Sequence, residues 1–96
     1  MKLKNISQVE LDEVLKQHRK WLNSDYNKGN QADLSYIDLS GLDLQYANLH
    51  GANLQGSDLR YADLEEADLD TANLMNANLQ GANLQEAKID DITILK

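Results

Sequence analysis

Ala47-Asn48-Leu49-His50-Gly51-Ala52-Asn53-Leu54-Gln55-Gly56-Ser57-Asp58-Leu59-Arg60-Tyr61-Ala62-Asp63-Leu64-Glu65-Glu66 holds four copies of one five-residue unit, Ala-Asp/Asn-Leu-x-x. Outward from this stretch the unit continues in both directions. Its central leucines run from Leu34 to Leu84, and Ile89 and Ile94 extend the series. Two positions before each centre sits a small or aliphatic residue, from Ala32, Ile37 and Leu42 through Ser57 to Ala87 and Ile92. The intervening slot is Asp or Asn from Asp33 to Asn83, and Lys88 and Thr93 then break that column. Residues 32–96 hold thirteen copies with no insertion.

A period of five suits neither common secondary structure. On an α-helix at about 100° per residue, successive leucines would step by about 140° and scatter around the axis. On a strand, an odd period sends alternate leucines to opposite faces. All of them point one way only if the chain turns once per unit, so that short extended pieces wind around a shared apolar axis. The Ala column requires a narrow interior. Asp and Asn suit the turns, because their side chains bond nearby backbone. Gly41, Gly51, Gly56 and Gly81 fall at the last position of their units and fit turns with positive φ.

These residues resemble the pentapeptide repeat family, and the resemblance covers about two thirds of the chain. It implies an all-β solenoid, a right-handed quadrilateral β-helix with four pentapeptides per coil. Thirteen copies then make about three coils, roughly 16 Å tall at the inter-strand spacing.

Residues 1–31 follow another pattern. They carry six Lys/Arg against four Asp/Glu, a net +2, whereas residues 32–96 carry three against twelve, a net −9. Ser7-Gln8-Val9-Glu10 is a capping box, with Ile6 placed as a hydrophobic staple. Leu11, Val14, Leu15, His18, Trp21 and Leu22 follow helical spacing, which predicts a helix from about 8 to 23. Asn23 to Asn30 reads as its stop and a linker. A solenoid needs a terminal cap, so residues 1–31 are expected to cap the repeat domain 32–96, with Trp21 packed near Ile37 and Leu42. His18-Arg19-Lys20-Trp21-Leu22 before a repeat also resembles the helical cap of some pentapeptide repeat proteins. A partner-binding amphipathic helix is the alternative.

The composition excludes several function classes. The 96 residues form one small domain, and their 26% charged and 42% hydrophobic content is that of a globular chain. There is no cysteine, hence no disulfide framework and no thiolate metal site. The net charge of −7 argues against direct nucleic-acid binding. No apolar run is long enough for a membrane span, and residues 1–7 lack a signal-peptide core, so a cytoplasmic protein is expected. His18 lies near the apolar stripe and reads as a packed side chain. His50 sits at an outward slot, without a second ligand at familiar metal spacing. No calcium loop, nucleophile elbow or phosphate cradle occurs. Neither catalytic residues nor a cofactor or metal are expected, and the reading is non-enzymatic.

The surface carries more information. With four units per coil, every fourth pentapeptide shares a face. The face centred on Leu44, Leu64 and Leu84 carries Asp43, Asp63, Glu65, Glu66 and Glu86. The next, centred on Leu49, Leu69 and Ile89, carries Asp68, Asp70, Asp90 and Asp91 against Lys88. Six of these acids lie outside the Asp/Asn slot, so the acidity is not simply the motif. The expected function is an interaction or scaffold module with an unidentified protein partner. The alternative is an acidic DNA mimic that occupies a DNA-binding protein such as a type II topoisomerase (gyrase). Family resemblance suggests it, and duplex DNA of this length carries roughly nine or ten charges. In the last coil Ile92 takes an alanine slot, Ile89 and Ile94 take leucine slots, and Leu95 takes an outward slot, which predicts a homodimer through that coil.

Overall fold

The computed structural model describes residues 2–90. Asp91, Ile92, Ile94 and Leu95 lie outside the described residues. From Asp33 to Lys88 the chain builds a parallel ladder whose partners are twenty residues apart. Asp33 pairs with Asn53, Asn53 with Asn73, Asp43 with Asp63 and Asp63 with Asn83. Twenty residues are four pentapeptides, so each unit lies beside the fourth unit after it. Each rung is made by main-chain bonds: Leu34 N–H donates to the Asn53 carbonyl at 2.8 Å, and Asn53 N–H to the Ala32 carbonyl at 3.0 Å. The same pair of bonds recurs around the chain, and the result is a β-helical solenoid.

The interior is the leucine column. Leu34, Leu39, Leu44, Leu49, Leu54, Leu59, Leu64, Leu69 and Leu74 are each at most 1% exposed. Ala52, Ala62, Ala67 and Ala72 fill the space beside them. Each buried leucine contributes about 1.5–3 kcal/mol relative to exposure. Leu79 and Leu84 are half-buried and pack against the same cluster.

Two local devices turn the chain at every unit. At all eleven Asp/Asn positions from Asp33 to Asn83, Oδ1 accepts the backbone N–H two residues on. The bond needs only an acceptor oxygen, which is why Asp and Asn alternate freely. The slot two residues after each leucine is left-handed throughout. Glycine fits it as expected, but so do Tyr36 (φ 56°), Tyr46 (61°), Tyr61 (60°), Glu66 (56°), Thr71 (61°) and Asn76 (62°). Asn tolerates this conformation, but at the tyrosines, Glu66 and Thr71 it costs about 1–2 kcal/mol, so there the ladder must impose the geometry against local preference. Gly56 has a second reason to be glycine: a Cβ there would run into the Tyr36 ring from the coil before it.

The N-terminal segment holds β1 (Lys4–Asn5) and α1 (Gln8–Asn23). The helix starts as its capping box dictates. Glu10 N–H donates to Ser7 Oγ at 3.1 Å, and Ser7 N–H to Glu10 Oε1 at 3.0 Å. Those bonds hold the Glu10 carboxyl below its ordinary pKa. The buried positions of α1 are Leu11, Leu15 and His18, and the two leucines belong to the same apolar cluster as the first leucines of the solenoid. β1 pairs in parallel with β2 (Ile37–Asp38), Lys4 against Ile37 and Asn5 against Asp38. A two-residue strand leaves no periodic trace, and the sequence reading does not contain it.

The expected place of Trp21 is corrected. Gln8 reaches the backbone beside Leu42, exchanging two bonds with Asp43 at 2.8 and 2.9 Å. Trp21 lies thirteen residues farther along α1, about 20 Å at the helical rise. Its ring stacks on His18 at 5.6 Å and meets Tyr26 at 4.5 Å. From the N-terminal segment, Ile6 and Val14 are the apolar residues that line the surface around Ile37.

Candidate functional site

The twenty-residue register decides which charged side chains become neighbours. On one face Asp43 and Asp63 lie in one column, Gln45 and Glu65 in the next, and Tyr46, Glu66 and Glu86 in a third. Gln45 Nε2 donates to Glu65 Oε2 at 3.1 Å, and Asn83 Nδ2 to Asp63 Oδ1 at 3.2 Å. Among the described residues no cation pairs with Asp43, Asp63, Glu65, Glu66 or Glu86. Tyr46 is 64% exposed in the middle of this field. Glu66 in the first place, and Glu65 and Asp63 with it, raise its phenol pKa above the ordinary value.

The neighbouring face is different. Lys88 Nζ approaches Asp70 Oδ2 at 3.3 Å, and His50 Nδ1 approaches Asp68 Oδ1 at 4.0 Å. Asp90 Oδ1 accepts the Thr71 N–H at 3.1 Å. The sequence grouped both faces as one acidic surface. The geometry leaves the first without paired cations and gives the second a lysine and a histidine. Opposite in sign is an open groove of about 580 Å³ where α1 ends, lined by Lys16, Arg19, Lys20 and Lys28.

His18 joins α1 to the solenoid. It is fully buried, and both ring nitrogens are engaged. Ala32 N–H donates to Nδ1 at 2.9 Å, and Nε2 lies 2.8 Å from the His50 carbonyl. An N–H can only donate and a carbonyl can only accept, so the ring is neutral with its proton on Nε2. Burial holds its pKa below the ordinary value, partly opposed by the bond to the His50 carbonyl. The sequence placed His18 on the buried stripe, but nothing in helical spacing pointed to its two bonding partners.

The pentapeptide repeat model (eight copies) matches residues 30–60 and 52–91. The chain belongs to the pentapeptide repeat family. The solved structure of Rfr23, a pentapeptide repeat protein of the cyanobacterium Cyanothece 51142, is 39% identical with a TM-score of 0.65. The match covers 67% of this chain and 44% of Rfr23. HetL of Nostoc sp. strain PCC 7120, a pentapeptide repeat protein involved in heterocyst differentiation regulation, is 34% identical over 65% of this chain and 39% of its own, with a TM-score of 0.38. The pentapeptide repeat protein alr5209 of Nostoc PCC 7120 is 33% identical over 98% and 87%, with a TM-score of 0.31. The chain thus spans less than half the length of Rfr23 and HetL. No curated protein matches it significantly. Among the described residues no helix is long and apolar enough to cross a membrane.

Proposed function

We propose that this pentapeptide repeat protein is a non-enzymatic interaction module that presents its acidic face to a protein partner. The observation that carries the reading is Tyr46, an exposed aromatic ring whose phenol is perturbed by Glu66, Glu65 and Asp63. Exposed tyrosine surrounded by uncompensated charge is the kind of surface that anchors a partner. A solenoid interior filled with leucine and alanine supports the absence of catalysis, since it leaves no room for a substrate.

The finer architecture is part of the proposal. The coils form a right-handed quadrilateral helix, and thirteen units make three and a quarter of them. Residues 1–31 are the cap, supported by the burial of Leu11 and Leu15 in the common cluster and by the pairing of β1 with β2. Self-association through the last coil belongs here too, supported by Ile89, which is 42% exposed.

The test is retention from a source lysate on immobilised protein, compared with a Glu65→Lys/Glu66→Lys variant. The expected result is a species retained at low salt, released at high salt, and absent from the variant. Equal retention by both proteins overturns the acidic-face reading. Inhibition of DNA supercoiling by gyrase in the same comparison would replace it with the DNA-mimic reading.

A further inference from the structure

His50, Asp68 and Asp70 bring an imidazole and two carboxylates together from adjacent coils. One ligand atom from each lies within 4.8 Å of the other two. The register explains the meeting. His50 and Asp70 occupy the same slot twenty residues apart, and Asp68 opens the turn that contains Asp70. The main chain under all three is fixed. Gly51 N–H donates to the Asp70 carbonyl at 3.0 Å and locks the two coils together. Asp70 N–H donates to Asp68 Oδ1 at 3.0 Å. The His50 N–H donates to Asn48 Oδ1, and its carbonyl accepts the buried His18 ring.

From this placement we propose that His50, Asp68 and Asp70 form a binding site for one borderline divalent cation, of the zinc, cobalt or nickel kind. With metal–ligand bonds of about 2.0–2.2 Å, tetrahedral ligand atoms stand roughly 3.4 Å apart. The spread in the structure exceeds that by little more than 1 Å. All three side chains are only partly buried, and rotation of the His50 and Asp70 side chains closes the difference while Asp68 keeps its turn bond to the Asp70 N–H. An imidazole with carboxylates selects against magnesium and calcium, which favour all-oxygen sets. Three protein ligands leave the fourth position to water. Lys88, 3.3 Å from Asp70 Oδ2, is a competing cation that the metal must displace or share the carboxylate with. A bound ion would clip two coils together at the residue whose carbonyl holds the His18 ring of α1.

The test uses the untagged full chain. Calorimetric titration with Zn²⁺, and the visible spectrum of the Co²⁺ form, should show one saturable site per chain. Binding should weaken about 10-fold or more in His50→Ala and in Asp70→Asn, and tighten in Lys88→Gln. Excess Mg²⁺ should not compete. His50→Ala keeps the backbone carbonyl that bonds His18, so its melting curve in chelator should match wild type and show that the variant is folded. No saturable uptake, or uptake unchanged by His50→Ala and Asp70→Asn, overturns the site.

Discussion

In residues 32–90 the same few bonds are made at every fifth residue, whereas the N-terminal segment reaches the solenoid through bonds made once each. The repeat turns eleven times with the same Asp/Asn bond and the same left-handed slot. Residues 2–31 depend on the His18 ring, the Gln8 amide and a two-residue strand. Recurrence spreads stability over many equivalent positions, so a substitution at one unit reports on all of them. Single-use contacts concentrate it, so their loss is felt at one joint.

The sharpest test of that contrast lies in the interior. Leu64→Ala should lower stability by about 2–5 kcal/mol, while Glu65→Ala, one residue on, should change it by less than about 0.5 kcal/mol. Chemical denaturation measures both, and equal losses would mean that the inward column is misassigned. Next comes the joint. His18→Leu removes the partners of Ala32 N–H and the His50 carbonyl, and should cost about 2–4 kcal/mol. Amide exchange should rise at Ala32 and along α1 before it rises in the middle coils. Uniform loosening of both regions would erase the distinction between them.

Within the repeat, one position departs from its own column. Ser57 stands where most units have alanine, and its Oγ is buried with no hydrogen-bond partner among the described residues. Ser57→Ala should raise stability by about 1 kcal/mol, seen as a melting temperature higher by about 4–8 °C. An unchanged or lower melting temperature would show that the hydroxyl is satisfied in solution. The smallest effect concerns Asp58, whose pKa is lowered chiefly by the side-chain bond from Arg60, 2.7 Å away. The native state then binds that proton less readily than the unfolded chain, so the stabilisation is present above the ordinary value near 3.8 and fades as the pH falls through the lower folded value. The melting-temperature gap between wild type and Asp58→Asn should be a few degrees at most at neutral pH and vanish at the acid end. A gap that persists there would assign it to packing.

The two regions also differ in how far they could be read. The period of five, the leucine column and the Asp/Asn turns were legible because each is repeated, and repetition separates a structural requirement from chance. Helix α1 was legible through Ser7, Glu10 and its apolar spacing, since caps and stripes are local. The left-handed backbone at Tyr46 and Thr71 was not, because side-chain preference argues against it and only the ladder enforces it. Nor was the meeting of His50 with Asp68 and Asp70. Four units per coil already put the Leu49 and Leu69 units on one face, and the register of i with i+20 is the signal that could have found them. What the register does not give is which side chains on that face turn toward one another, and that brings the three ligand atoms within 4.8 Å.

By itself the sequence determined that this chain coils around leucines, turns on Asp and Asn, and begins with a capped helix, because those requirements act over a few residues and recur. Only the tertiary structure decided which charges stand uncompensated, where Trp21 packs, and which groups the His18 ring joins. Those outcomes depend on how side chains of α1 and of neighbouring coils settle against one another, and the spacing of the repeat does not fix that.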